Sequence, residues 1–366
     1  MDISETQDES LLIARDEKEE NIKTKRLLYK RLKFILIMLL ILIGGVCCIL
    51  TFIFLMWARQ PFAQCSGIPS MHLDANMSQA IINFPDEAFG KLSINHLQFL
   101  GTHNSFHVEP SISFKDSFRY THEPLLSQAN RGVRHFELDS HYSYSTERWI
   151  PYHIALIDDK TNCGPCLSNC ISQLKQWSDD NNNHTIIIVY LEPKTIFNAR
   201  PFCRDGDDVH LFNKMESEVL SHISLHQIVV PQQIRGSFDT LNEAVLKRGW
   251  PSVESTRGKF LFVLNLWSEN MHCRKLYINK KHPLFFMRID DGGPDTAFVE
   301  MGSRGNKDSI LESLKKNYFV RTAADSVESV NYGAQLLSTD FYHDYLPKTT
   351  VCNSVTAPKD CRVLNP

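Results

Sequence analysis

Hydrophobic positions fall into one long run and a series of short ones. The long run, Phe34 to Trp57 (FILIMLLILIGGVCCILTFIFLMW), has 24 residues and no charge. At a rise of about 1.5 Å per residue, a helix crosses the hydrocarbon core of a bilayer in about 20 residues. A core helix of this length would carry a polar face, which the run lacks. A cleaved signal peptide has a shorter apolar region, about 7–15 residues. It also does not follow a charged tail of 33 residues. The pattern predicts a transmembrane signal-anchor helix over 34–57.

The short runs lie further on: HLQFLGT (96–102), GVRHFELD (132–139), WIPYHIAL (149–156) and TIIIVYLE (185–192), then GKFLFVLN (258–265), PLFFMRI (283–289), NYFVRTA (317–323) and AQLLST (334–339). Several are apolar on both faces, as buried parallel strands are. Helical pattern lies between many of them, for example CISQLKQWSDD and KDSILESLKK. Eight strands with helical crossovers over roughly 250 residues predict an α/β fold, a (β/α)8 TIM-type barrel. A doubly wound open sheet is the alternative. Residues 224–257 give no clear pattern.

The expected organisation is a disordered tail over 1–33, the span over 34–57 and a juxtamembrane stalk over 58–90 with Pro61, Pro69 and Pro85. The barrel follows over 91–346, and a Cys-containing tail over 347–366. The 366 residues are 43% apolar with a net charge of −3. No basic tract suits nucleic acid. Lys23, Lys25, Arg26, Lys30, Arg31 and Lys33 precede the span, with no acid among residues 21–33. The positive-inside rule places the N-terminus in the cytosol and everything after Trp57 outside or in a lumen.

Cysteine usage agrees. Cys65, Cys163, Cys166, Cys170, Cys203, Cys273, Cys352 and Cys361 all follow the span. An even set in an oxidising compartment reads as disulfides. The Cys163, Cys166, Cys170 spacing could also suggest zinc, but a fourth ligand is not evident. Asn76-Met-Ser and Asn183-His-Thr are glycosylation acceptor sequences. In the tail, DESLLI resembles a dileucine sorting signal at Leu12-Ile13. Plasma membrane or endosome and lysosome are the expected locations.

In a barrel, chemistry sits at the C-terminal ends of strands. Glu137 and Asp139 are two apart at such an end, so their carboxylates share a face. Glu192 ends the fourth run and Asn104 the first. Close carboxylates repel, and a bound cation resolves that. Three carboxylates and an amide oxygen form a hard-oxygen set suited to Ca2+. Lys194, Arg134 and Arg119 are candidates for neutralising the charge. His103 and His153 stand at two exits and can serve as a base and an acid. His107, His122, His135 and His141 are competing histidines. As neighbours on an extended chain, His103 and Asn104 are expected to point apart.

LGTHNSFH, YTHEPLLSQANRGVRHFELDSHY, YHIALIDDKTNC and VYLEPK, in this order, resemble the calcium-dependent phosphoinositide phospholipase C family. VRTAADS and GAQLLSTDFY resemble its closing strands, so the resemblance covers about residues 91–345. It implies that His103 is the general base for the inositol 2-hydroxyl and His153 the general acid for the departing diacylglycerol oxygen. It further implies that Asn104, Glu137, Asp139 and Glu192 hold Ca2+, that Lys194 contacts substrate, and that Asp340 orients His103 or binds substrate. The implied product is a cyclic inositol phosphate. The partner is a phospholipid, phosphatidylinositol or a glycosylphosphatidylinositol. The alternatives are a glycerophosphodiesterase or sphingomyelinase-D-like hydrolase, and an inactive barrel serving as a membrane-anchored binding module.

Overall fold

The computed structural model describes residues 3–58, 87–194, 209–266, 271–301, 306–323, 330–341 and 351–358, except 114, 155, 156, 159, 281 and 354. Asn76, the stalk prolines, Cys65, Cys203, Cys361 and most of the C-terminal tail lie outside the described residues. The chain forms two compact units, Met1–Gln60 and Pro61–Pro366.

The first unit is one helix, Ile3–Ala58. Within Lys23–Ile53 an 18-residue window reaches a mean hydropathy of 3.0 with none of it buried, and the stretch is long and apolar enough to cross a membrane. The helix starts at Ile3, well before the apolar run, and composition favours it. Residues 1–33 contain no Gly or Pro and many Leu, Glu, Lys and Arg, all strong helix formers.

Among the described residues, the second unit forms a nearly closed barrel of eight parallel strands. These are β1 (Leu97–Thr102), β2 (His135–Ser143), β4 (Ile187–Lys194) and β5 (Phe260–Leu264), with β6 (Phe286–Met287), β7 (Phe298–Met301), β8 (Phe319–Ala323) and β9 (Leu336–Thr339). They run in the order β6-β5-β4-β2-β1-β9-β8-β7. A parallel bridge from Arg288 to Phe298 joins β6 to β7. There the Ile289 N–H donates to the Phe298 carbonyl at 2.9 Å. Among the described residues, helices on the outside include Leu125–Asn130, Leu167–Asp180, Val209–Leu220 and Lys307–Lys315.

Two staves differ from the sequence pattern. The run 149–156 supplies β3 (Arg148–Pro151), which pairs antiparallel with the end of β2, Ser140 opposite Pro151. Only four residues separate β2 from β3, and a parallel return needs a dozen or more. The eighth stave is instead β7, four residues within TAFVEMG. A short strand at Val351–Cys352 pairs antiparallel with the start of β1.

Strand alternation sorts the core into two layers. Leu138, Val189, Leu191, Phe262 and Leu264 face the helices, in one cluster with Leu167, Leu174 and Phe212. Phe99, Ile188, Tyr190, Val263, Phe286, Phe298, Phe319 and Leu336 fill the barrel. Gly101 lies on this inner side, where an added Cβ would come within 2.4 Å of the His135 ring and 2.8 Å of the Leu337 carbonyl. Trp250 plugs the N-terminal end, its ring 4.8 Å from Phe319 and 5.4 Å from Phe298. Its Nε1 donates to the Asn317 carbonyl at 2.7 Å.

Cys163 and Cys170 form a disulfide, which rules out a zinc site built on both thiolates. Cys166, Cys273 and Cys352 are also disulfide-bonded, whereas Cys47 and Cys48 are free.

Candidate active site

Toward the C-terminal ends of the strands, the inward positions change from apolar to polar. After Phe99 comes His103; after His135 come Glu137 and Asp139; after Tyr190 comes Glu192. Asn265 follows Val263, Arg288 follows Phe286, Glu300 follows Phe298, Arg321 follows Phe319, and Asp340 follows Leu336 and Ser338. The side-chain period of two explains this ring. Each strand spends its lower inward positions on the core and its last one on the cavity mouth.

Glu137, Asp139 and Glu192 are all buried, and one oxygen of each lies within 4.8 Å of the others. Asp139 and Glu192 are register partners across β2 and β4. Lys194 bridges the two. Its Nζ is 3.2 Å from Asp139 Oδ2 and contacts Glu192 Oε1. Burial raises the Asp139 carboxyl, but Lys194 and His153 outweigh it and hold this group well below its usual range. Burial and the neighbouring Asp139 push Glu192 up to about 7. Glu192 Oε2 accepts from the Asn265 amide at 2.6 Å.

Glu137 Oε2 accepts from Arg321 at 2.6 Å and from the Asn104 backbone N–H at 3.2 Å. Arg321, and not Arg134 or Arg119, joins Lys194 in neutralising the cluster. Arg134 donates to the carbonyls of Ala129 and Val133 and lies over the Trp177 ring, while exposed Arg119 pairs with Asp116.

His103 Nδ1 donates to Asp340 Oδ1 at 2.8 Å. Burial lowers the imidazole pKa, but Glu137 and Asp340 outweigh this and push it up to about 9. His103 and Asn104 do not point apart. β1 ends at Thr102, and Asn104 sits in the left-handed region with φ 46°. Its side-chain amide therefore lies 3.4 Å from His103 Nε2 and donates to the Tyr120 hydroxyl at 3.3 Å.

His153 Nδ1 donates to Asp139 Oδ2 at 2.5 Å. Burial lowers its pKa and the Asp139 contact more than restores it, so the net shift is upward. The histidine stands in the loop after β3, not at a barrel-strand end. Buried Asp158 anchors this loop by accepting the backbone N–H groups of His153 at 2.6 Å and Ile154 at 2.8 Å. The competing histidines have other partners. His107 bonds the Phe118 carbonyl, His122 the His103 carbonyl, and His141 stacks on Tyr152 at 3.8 Å. His135 lies below the cluster, where Arg321 Nε donates to it at 3.3 Å.

The expected residues His103, Asn104, Glu137, Asp139, His153, Glu192, Lys194 and Asp340 thus converge at one end of the barrel. Asn183 is exposed in a turn just before β4, at the other end of the strands. The sequence reading missed Asn265, Arg288, Glu300, Arg321, Tyr120 and Asp158. Asn265 carries the strand-exit signal used elsewhere, since it ends GKFLFVLN.

The donor set suits a hard divalent cation. Asn104 Oδ1 and Asp139 Oδ1 are buried with no hydrogen-bond partner, an arrangement that costs about 1–3 kcal/mol for each group left unsatisfied. Both belong to the oxygen set just described.

Residues 151–360, more than half of the chain, match the family described as phosphoinositide phospholipase C, Ca2+-dependent. No curated protein sequence matches. Two solved bacterial structures share the fold. The calcium-dependent phosphoinositol-specific phospholipase C of a Gram-negative Pseudomonas species aligns with a TM-score of 0.52 at 18% identity, over 69% of this chain and 92% of its own. The Ca2+-dependent phosphatidylinositol-specific phospholipase C of Streptomyces antibioticus aligns with a TM-score of 0.54 at 17% identity, over 72% of this chain and 99% of its own. The barrel and the family match together place this chain in the Ca2+-dependent phosphoinositide phospholipase C family.

Proposed function

We propose that the protein is a membrane-anchored, calcium-dependent phospholipase C-type phosphodiesterase acting on phosphatidylinositol or a glycosylphosphatidylinositol lipid. One observation carries this reading. Two histidines are each bonded through Nδ1 to a carboxylate, and both flank a buried cluster of oxygen ligands.

With Nδ1 occupied, Nε2 is the nitrogen left for proton transfer. Asp340 fixes the His103 ring, and in the neutral form of the ring Nε2 takes the proton of the inositol 2-hydroxyl. The freed oxygen attacks phosphorus and closes a cyclic phosphodiester. Asp139 fixes the His153 ring, which protonates the departing glycerol oxygen and so releases diacylglycerol. Lys194 supplies positive charge for the phosphoryl group. Asn104, Glu137, Asp139 and Glu192 would hold Ca2+. The chemistry gained from the ion is a lower pKa for the attacking hydroxyl and compensation of charge on the phosphoryl oxygens.

The helix Ile3–Ala58 is the proposed anchor. The basic flank before the span keeps the N-terminus cytosolic, with the barrel outside the cell or in an endosomal or lysosomal lumen and glycans on Asn76 and Asn183. Disulfide-bonded cysteines in the barrel unit support that side.

A panel of vesicles tests the function. Full-length protein in detergent is given phosphatidylinositol, glycosylphosphatidylinositol, phosphatidylcholine, sphingomyelin and a lysophospholipid, each with calcium or with chelator. Calcium-dependent diacylglycerol from the inositol lipids alone is expected. Turnover of another head group would favour the glycerophosphodiesterase or sphingomyelinase-D-like alternative. Vesicle binding without turnover of any lipid would favour an inactive binding module. Digestion with a glycosidase tests the topology, and an unmodified protein from a eukaryotic host would contradict it.

A further inference from the structure

The two outer carboxylates of the cluster are tied together underneath. Glu137 accepts Arg321 Nη2 at 2.6 Å, and Arg321 Nη1 donates to Glu300 Oε1 at 2.7 Å. The other oxygen of Glu300 pairs with Arg288 Nη1 at 3.1 Å. Arg288 Nη1 also donates to Asn265 Oδ1 at 3.0 Å, and Asn265 Nδ2 donates to Glu192 Oε2 at 2.6 Å. Glu137, Arg321, Glu300, Arg288, Asn265 and Glu192 therefore form one continuous chain through β2, β8, β7, β6, the end of β5 and β4. Charges alternate from Glu137 to Arg288, and the neutral Asn265 links Arg288 to Glu192. Glu300 and Arg321 are register partners, so the strand pairing itself sets their contact.

We propose that Glu300 is a positioning residue for the cation site, clamping Arg321 and Arg288 so that Glu137 is held through Oε2 alone and Asn265 holds Oε2 of Glu192. The inference rests on the calcium reading of the cluster. The physical reasons are two. Without Glu300, Arg321 is released to close on both oxygens of Glu137 and remove a ligand. Without its charge, two arginines beside the cradle also repel an incoming dication. Both effects weaken binding. Asn265 acts at the other end, turning one Glu192 oxygen away from Lys194. Partners that hold metal ligands in this way are worth about 10–100-fold in metal affinity.

Calorimetric titration of the full-length protein in detergent with CaCl2 tests the clamp. Wild type is expected to bind calcium saturably. Glu300→Gln and Asn265→Ser are each expected to weaken binding about 10–100-fold. Glu300→Asp, which keeps the charge, is expected to recover part of the loss. The double variant should lose less than the sum of the two, because both break one chain. Melting curves identify variants that are folded, and Asn265→Ser decides the matter if Glu300→Gln does not fold. Wild-type affinity in the folded variants would overturn the clamp while leaving the calcium site in place. A wild type that binds no calcium would overturn the site itself, and the clamp with it.

Discussion

Asp139 and Glu192 face each other as register partners on adjacent parallel strands, both buried and both carboxylates. Like charges directly opposite on a sheet destabilise it, and Lys194 is the cation that holds this pair together in the chain alone. A divalent ion would bring two charges where Lys194 brings one.

Calcium should therefore stabilise the fold. At a hundredfold excess over Kd, binding adds about 2.7 kcal/mol. The melting temperature is expected to rise with calcium and return with chelator. Glu192→Gln should remove most of that rise. A full calcium response in Glu192→Gln, measured by scanning fluorimetry, would dismiss Glu192 as a ligand.

On the proposed reading, Lys194 and the ion draw on the same two carboxylates, Asp139 and Glu192. Lys194→Met should tighten calcium binding while slowing turnover, because the side chain is also the proposed phosphate contact. Calorimetry and lipid turnover on one preparation separate the two effects. Weaker calcium binding in this variant would mean that Lys194 supports the cradle and does not compete with the ion.

The two histidines should affect rate and leave metal binding intact. His103→Ala and His153→Ala are each expected to lower kcat by about 10²–10⁴-fold. Asp340→Asn, which keeps the His103 ring tethered, should cost less. Asp139 serves His153 and the cation cluster together, so Asp139→Asn should damage both rate and calcium affinity. Unchanged turnover in either alanine variant would remove that histidine from the mechanism.

Acid should weaken the barrel. His184 is buried, bonded to Ser178 Oγ at 2.7 Å and to the Thr185 carbonyl at 2.6 Å. Burial pushes its pKa down from 6.5 to about 4. The folded state thus holds it neutral where the unfolded chain would protonate it. The associated stability is present above pH 6.5 and lost as the pH falls toward 4, on the order of 3 kcal/mol for this group. Urea unfolding at pH 7 and pH 4.5 should show the loss, and His184→Gln should reduce it. An equal pH dependence in that variant would refute the assignment.

The barrel was legible because apolar strand runs survive in sequence, and because Glu137, Asp139 and Glu192 each break such a run at its exit. β7 was not legible. Phe298–Met301 is four residues long and follows a turn with no helix before it, so neither length nor period marks it. β3 was misread as a stave because WIPYHIAL is as apolar as a barrel strand. The four residues between Ser143 and Arg148 carried the correction. Glu300 and Arg321 were hidden for a different reason. A charged residue inside an apolar run reads as a solvent-facing alternation until its partner on the next strand is known. The fate of Asn104 depended on a left-handed turn, which one sequence does not display.

The most direct measurement is 31P NMR of phosphatidylinositol vesicles incubated with the full-length protein. With calcium, the lipid phosphodiester signal should be replaced by that of a five-membered cyclic inositol phosphate. Chelator should stop the conversion, and so should His103→Ala. No cyclic product in calcium, or equal conversion in chelator, would contradict the proposed calcium-dependent chemistry.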